Sequence, residues 1–162
     1  SDCDITLAHT KVFYNGKEKK PAVIVKNGQK LLEEGKDYTV IYKKNKKIGT
    51  AKAKITGIGN YEGIVKVPFI IALKKPVIAD LTNYVDSVEV KWNAVVGAKG
   101  YCIYRKTGTE GKWKLVGKVT GNTITTWKDE EVKTGEKYSY KVCAYKGKHS
   151  SSKSKKEVII IR

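Results

Sequence analysis

The stretch Thr56-Gly57-Ile58-Gly59-Asn60-Tyr61-Glu62-Gly63 packs three glycines into seven positions, a density found in loops that cradle phosphate. In such loops, backbone N–H groups at the start of a helix hold the pyrophosphate. The chemistry therefore needs a strand before the glycines and a helix after them. The strand is present: Thr50-Ala51-Lys52-Ala53-Lys54-Ile55 alternates small or apolar residues with charged or polar ones, at a period of two. The helix is not. Ile64-Val65-Lys66-Val67-Pro68-Phe69-Ile70-Ile71 is rich in β-branched residues and carries a proline, so it reads as a second strand. Asp80 stands about twenty residues on, where an acidic ribose ligand belongs, but Pro76 and the missing helix remove its context. No Gly-Lys-Ser or Gly-Lys-Thr closes the loop. The glycines are expected to make a turn.

Other residues able to do chemistry are few. Cys3, Cys102 and Cys143 are the three cysteines, His9 and His149 the two histidines, and their spacings fit no zinc pattern. One histidine in each half gives little from which to build a Cys–His nucleophile pair or a metal site. The acidic run Asp129-Glu130-Glu131 is expected to be solvated. No carboxylate pair or nucleophile–base constellation has a supporting context. Catalytic residues, cofactor-binding residues and metal ligands are therefore each expected to number none, and the chain is read as a non-enzyme with no cofactor.

Charge narrows the partners. The 162 residues carry a formal charge of +17, spread evenly: 16 lysines against 7 acids in residues 1–75, and 17 basic against 9 acidic residues beyond. Arg105 and Arg162 are the only arginines. Base-edge and bidentate phosphate recognition favour arginine, so nucleic acid is the disfavoured partner. A lysine coat attracts polyanions diffusely, in a way that salt screens. No apolar run approaches the ~18 residues of a membrane span, and no targeting or lipidation motif is present. Methionine is absent, even at position 1, so a processed product or a fragment of a longer chain is expected.

The elements that must position these residues are strands. Helical periodicity is nearly absent, with one turn expected over 31–35. Strands are expected over 11–14, 22–26, 37–43, 50–56 and 64–72, punctuated by turn dipeptides such as Asn15-Gly16 and Asn27-Gly28. Ala51, Ala53 and Ile55 should face inward, with Lys52 and Lys54 on a solvated face. Pro76 marks a boundary. After it, strands are expected over 78–84, 87–93, 100–106, 112–119, 123–127, 137–145 and 152–161, the number of an immunoglobulin-like sandwich.

Residues 76–162 resemble a fibronectin type III domain, and the domain is placed over 75–162. The resemblance rests on Val90-Lys91-Trp92, on Gly100-Tyr101-Cys102-Ile103-Tyr104-Arg105, and on Gly135-Glu136-Lys137-Tyr138-Ser139-Tyr140-Lys141-Val142-Cys143-Ala144-Tyr145. It implies that Tyr138 forms a tyrosine corner, its hydroxyl bonding back to the loop backbone. Residues 1–74 resemble an immunoglobulin-like repeat of large Gram-positive, often gut-bacterial, surface proteins. That likeness lies in Tyr14-Asn15-Gly16, Lys20-Pro21, Gly35-Lys36-Asp37-Tyr38-Thr39-Val40, Asn45, Gly49-Thr50-Ala51 and the glycine stretch itself. The expected fold is all-β: two tandem small β-sandwich domains, immunoglobulin-like and then fibronectin type III.

Trp92 and Trp127 are expected in the core, and Trp113 among lysines near a turn. Alternation turns Tyr101, Ile103, Tyr140, Val142 and Ala144 inward, leaving Cys102, Tyr104, Lys141, Cys143 and Tyr145 outside. The type III resemblance makes those two strands neighbours, so Tyr104, Trp113 and Tyr145 could form an exposed ligand-contact strip, or simply stabilise the sheet across strands. A Cys102–Cys143 bridge would need the two directly opposite; the leftover third cysteine and the family's usual lack of such a bridge favour free thiols, with Cys3 packed as a small apolar residue.

The resemblance implies a monomeric, non-catalytic spacer or adhesive module, extracellular or cell-wall associated, of a bacterial surface or secreted protein. Its implied partners are cell-wall polyanions, host or dietary glycans, or a neighbouring domain. The rival expectation is an accessory module of a secreted polysaccharide- or peptidoglycan-degrading hydrolase.

Overall fold

The computed structural model describes residues 3–162, and the chain divides into two compact units, Ser1–Ala72 and Leu73–Arg162. Among the described residues every regular element is a strand.

The first unit contains β1 (Asp4–Leu7), β2 (Lys11–Phe13), β3 (Val23–Asn27), β4 (Lys30–Leu31), β5 (Tyr38–Lys43), β6 (Gly49–Gly57) and β7 (Ile64–Ala72). They form two sheets, ordered β1-β3-β4 and β2-β7-β6-β5. Strand β2 runs parallel to β7; the remaining pairs are antiparallel. Strand β6 shows why the sequence builds this. Ala51, Ala53 and Ile55 are buried while Lys52 is exposed, and the two small alanines leave room for bulky neighbours. Phe69 uses that room, meeting Tyr42 edge-on with ring centroids 6.2 Å apart. Burying a side chain such as Phe69 contributes roughly 1.5–3 kcal/mol. Polar ties complete the join: the Tyr42 hydroxyl donates to the Pro21 carbonyl at 2.6 Å, and Tyr38 to that of Val23 at 3.3 Å.

The glycine stretch is the β6–β7 hairpin loop. Gly57 N–H donates to Gly63 O, Ile58 N–H to Asp37 O and Tyr61 N–H to Ile58 O, so these donors are engaged internally. Gly59 and Gly63 hold φ at +64° and +95°, where an L side chain is strained. The helical turn expected over 31–35 lies elsewhere. Leu31 is extended in β4, and the chain turns over 33–37, where Asp37 N–H reaches Glu33 O and the Asp37 carboxylate accepts from Glu33 N–H at 2.9 Å. The aspartate side chain stabilises a single tight turn and no more.

The second unit contains β8 (Ile78–Tyr84), β9 (Ser87–Trp92), β10 (Gly100–Thr107), β11 (Lys114–Thr120), β12 (Thr126–Asp129), β13 (Lys137–Lys146), β14 (His149–Ser150) and β15 (Glu157–Ile160). One sheet is β12-β9-β8; the other is β11-β10-β13-β14, with β15 also on β13. Val88, Val90, Trp92, Tyr101, Ile103, Tyr140 and Val142 fill the core. Trp92 packs on Tyr101 with centroids 5.3 Å apart. Trp127 is half-buried against Gly117, where an added Cβ would lie 2.5 Å from its ring. The last strand starts five residues later than expected, at Glu157. Before it, Ser151 and Ser154 accept the Ala144 and Val142 N–H groups through their hydroxyls, replacing regular ladder bonds.

Candidate functional site

The outer face of the β11-β10-β13 sheet carries Tyr104, Tyr145, Cys102, Cys143 and Lys141. Register places Tyr104 opposite Lys141, Cys102 opposite Cys143, and Gly100 opposite Tyr145. On the other side of β10, Cys102 faces Lys118 and Tyr104 faces Leu115. Trp113, half-buried, lies one residue before β11.

Each of the three rings has its own cation. Lys153 Nζ sits 3.7 Å from the Tyr104 centroid, Lys141 Nζ 4.7 Å from that of Trp113, and Lys118 Nζ 4.9 Å from that of Tyr145. Such contacts contribute about 0.5–1 kcal/mol each at exposed sites. They also occupy ring faces that a neutral sugar would need. Tyr145 is further held by its hydroxyl, 3.0 Å from Thr120 Oγ1 and 3.3 Å from the Val119 carbonyl. Burial pushes the Tyr104 phenol up, helped by the Cys143 and Cys102 thiols beside it. The face thus presents ammonium groups on aromatic platforms, an arrangement suited to anions.

A second basic patch lies on the first unit. Lys43, Lys52, Lys54 and Lys66 line a shallow groove of about 220 Å³. Lys43 is directly opposite Lys52, and Lys54 directly opposite Lys66. Like charges so placed repel. Among the described residues no ion pair involves any of the four. Among the described residues there is no group of three metal-ligating side chains and no helix long and apolar enough to cross a membrane.

Within the acidic run, Glu130 and Glu131 are exposed as expected, but Asp129 corrects the expectation of solvation. Asp129 is only 2% exposed. Its carboxylate accepts two hydrogen bonds from Arg105 Nη1 at 2.8 and 2.9 Å, one from the Tyr140 hydroxyl at 2.7 Å, and one from Glu131 N–H at 3.1 Å. Arg105 on β10 and Tyr140 on β13 thereby tie their sheet to β12 in the other. The signal was the inward series Tyr101, Ile103, Arg105: an inward arginine demands a carboxylate. Beside this cluster, the Arg105 guanidinium lies 5.5 Å from the Tyr138 ring centroid, and Lys133 N–H donates to the Tyr138 hydroxyl at 3.1 Å, closing a corner over the preceding loop.

No protein-family model and no curated protein matches the sequence. Solved structures do. A segment of two fibronectin type III domains from chicken tenascin superimposes with a TM-score of 0.65 and 11% identity, over 98% of this chain and 97% of that one. The fold is that of fibronectin type III and immunoglobulin-like domains. A Fn3-like protein from Clostridium thermocellum matches with a TM-score of 0.50 and 25% identity, over 56% of this chain and 95% of its own length. The twitchin kinase region from C. elegans is similar over 56% of this chain at a TM-score of 0.46 and 18% identity; the match takes in 16% of that chain.

Proposed function

We propose that this chain is a non-catalytic spacer and weak adhesive module of a bacterial cell-surface or secreted protein. In this reading the first unit is an immunoglobulin-like surface repeat and the second a fibronectin type III domain. The observation that carries it is the likeness to a two-domain fibronectin type III segment along 98% of the chain. The bacterial Fn3-like neighbour and the surface-repeat residues around the glycine loop support the bacterial setting.

The adhesive part rests on the lysine-capped rings. With Lys118, Lys141 and Lys153 lying over Tyr145, Trp113 and Tyr104, a neutral glycan must displace a cation before it can stack. An anionic polymer meets the ammonium groups first. Electrophoresis of the native chain through gels loaded with polyglycerol phosphate or with neutral β-glucan tests this. Retardation is expected in the anionic gel alone. Retardation by the neutral glucan that disappears in Tyr104→Ala would show the rings to be a sugar platform instead. Turnover of a glycoside, ester or peptide by the purified chain, abolished by a single substitution in it, would refute the non-catalytic reading.

A further inference from the structure

We propose that Cys102 and Cys143 are a redox-modification site: a dithiol that a low-molecular-weight disulfide converts, reversibly, into a cross-strand disulfide. The chain has three cysteines, and two of them stand directly opposite one another on adjacent antiparallel strands. Opposite residues of such a pair have Cα atoms about 4.5–5.5 Å apart, inside the roughly 4.4–6.8 Å that a disulfide spans. They also share one face of the sheet, so the two thiols point the same way. Both are free thiols in this structure. Burial pushes the Cys143 thiol up, and the Cys102 thiol beside it adds to the shift.

The two sulfurs are not equivalent. Cys102 is half-buried, whereas Cys143 is 4% exposed and lies against the Tyr104 hydroxyl. Cys102 is therefore the entry point. Its thiolate attacks one sulfur of R–S–S–R, forming a protein–S–S–R bond and expelling RS⁻. Cys143, as its thiolate, then attacks the Cys102 sulfur, forming the cross-strand bond and expelling the second RS⁻. Two protein thiols are oxidised and one small disulfide is reduced to two thiolates, which take up the two protons that the cysteines release.

Geometry makes the bridge labile. Opposite Cβ atoms in a sheet lie about 4.5–5.5 Å apart, wider than the roughly 3.5–4.5 Å that a relaxed disulfide takes. Closing the bond draws β10 and β13 together, and a strained bond is the more readily reduced. A small aliphatic thiol can also serve simply as a packing residue. That role would not require two cysteines in exact opposition, and it gives a different result on oxidation.

The test uses the full chain carrying Cys3→Ser, incubated with oxidised glutathione and then denatured for thiol titration and mass spectrometry. Both remaining thiols should disappear, with the loss of two hydrogens, a linked Cys102–Cys143 peptide and full recovery on adding dithiothreitol. Cys143→Ser in the same background should stop at one glutathione on Cys102. Peptide mapping of the oxidised native chain gives the same reading should Cys3→Ser fold poorly. Both thiols persisting at glutathione disulfide concentrations that fully oxidise a reference dithiol peptide would overturn the proposal. So would a glutathione that stays on Cys102 without exchange onto Cys143, or cross-links between chains only.

Discussion

At the scale of single residues, Asp129 concentrates the most consequence. Three partners converge on a carboxylate that is 2% exposed, and Arg105, its cation, keeps only 15% of its side chain in solvent. Burial works to lower the Arg105 pKa, but the hydrogen bond and charge of Asp129 outweigh it and the net shift is upward. Asp129→Ala should cost about 1–3 kcal/mol, because it leaves the buried Tyr140 hydroxyl without its acceptor and leaves Arg105 to Glu131 alone. Arg105→Met combined with Asp129→Leu should cost less than the sum of the single changes, which a double-mutant cycle by urea denaturation would measure. Tyr140 supplies a pH signature. Burial, and then its hydrogen bond to Asp129, push its phenol well above 10.0. Below that value both folded and unfolded chains keep the proton. Above it the unfolded chain releases the proton and the folded chain does not, so the contribution falls as pH rises. Tyr140→Phe should therefore show a shallower loss of stability than the native chain above pH 10, the ordinary phenol value. Tyr138→Phe removes the acceptor for Lys133 N–H and should lower second-unit stability by roughly 1–2 kcal/mol. An unchanged melting temperature in that variant would contradict the corner.

At the scale of elements, two sheet features yield opposite predictions. Gly117 on β11 lets the strand pass under Trp127; a Cβ there would lie 2.5 Å from the ring, which is itself wedged on β12. Gly117→Ala should destabilise the second unit by about 1–3 kcal/mol, as overpacking does. The β6–β7 pair runs the other way. Lys54 faces Lys66 across the ladder with no counter-ion among the described residues. Lys54→Glu converts repulsion into attraction and should raise first-unit stability by about 0.2–1 kcal/mol. Calorimetry of the two variants separates the cases. Stabilisation by Gly117→Ala, or destabilisation by Lys54→Glu, would show that these local geometries do not govern the sheets.

At the scale of the whole molecule, charge is the dominant fact. A formal +17 spread over both halves makes attraction to polyanions long-ranged and weakly localised. Binding to polyglycerol phosphate should weaken steeply between low salt and physiological salt, where the Debye length is about 8 Å. Tight binding that persists at about 0.5 M salt, past the reach of screened surface charge, would reveal a shaped pocket instead.

The sequence by itself determined the class of fold and the facing of most residues, because both depend on local period. Ala51, Ala53 and Ile55 in, Lys52 out, and Tyr101 and Ile103 in all follow from the pleat. Only the tertiary structure decided what depends on partners far along the chain. Asp129, in an acidic run whose other two members are exposed, looks solvated until Arg105 and Tyr140 arrive from 24 and 11 residues away. Strands β1, β4 and β14 are short and weakly patterned, and they exist because longer neighbours offer them a ladder. Alternation put Cys143 on the outer face, yet it is 4% exposed; neighbours on that face, Tyr104 among them, cover it. The lysines that cap the rings of Tyr104, Trp113 and Tyr145 come from β11, from β13 and from the segment after β14. Period reveals which way a side chain points, but what it meets there is set by register between strands and by the contacts that folding brings together.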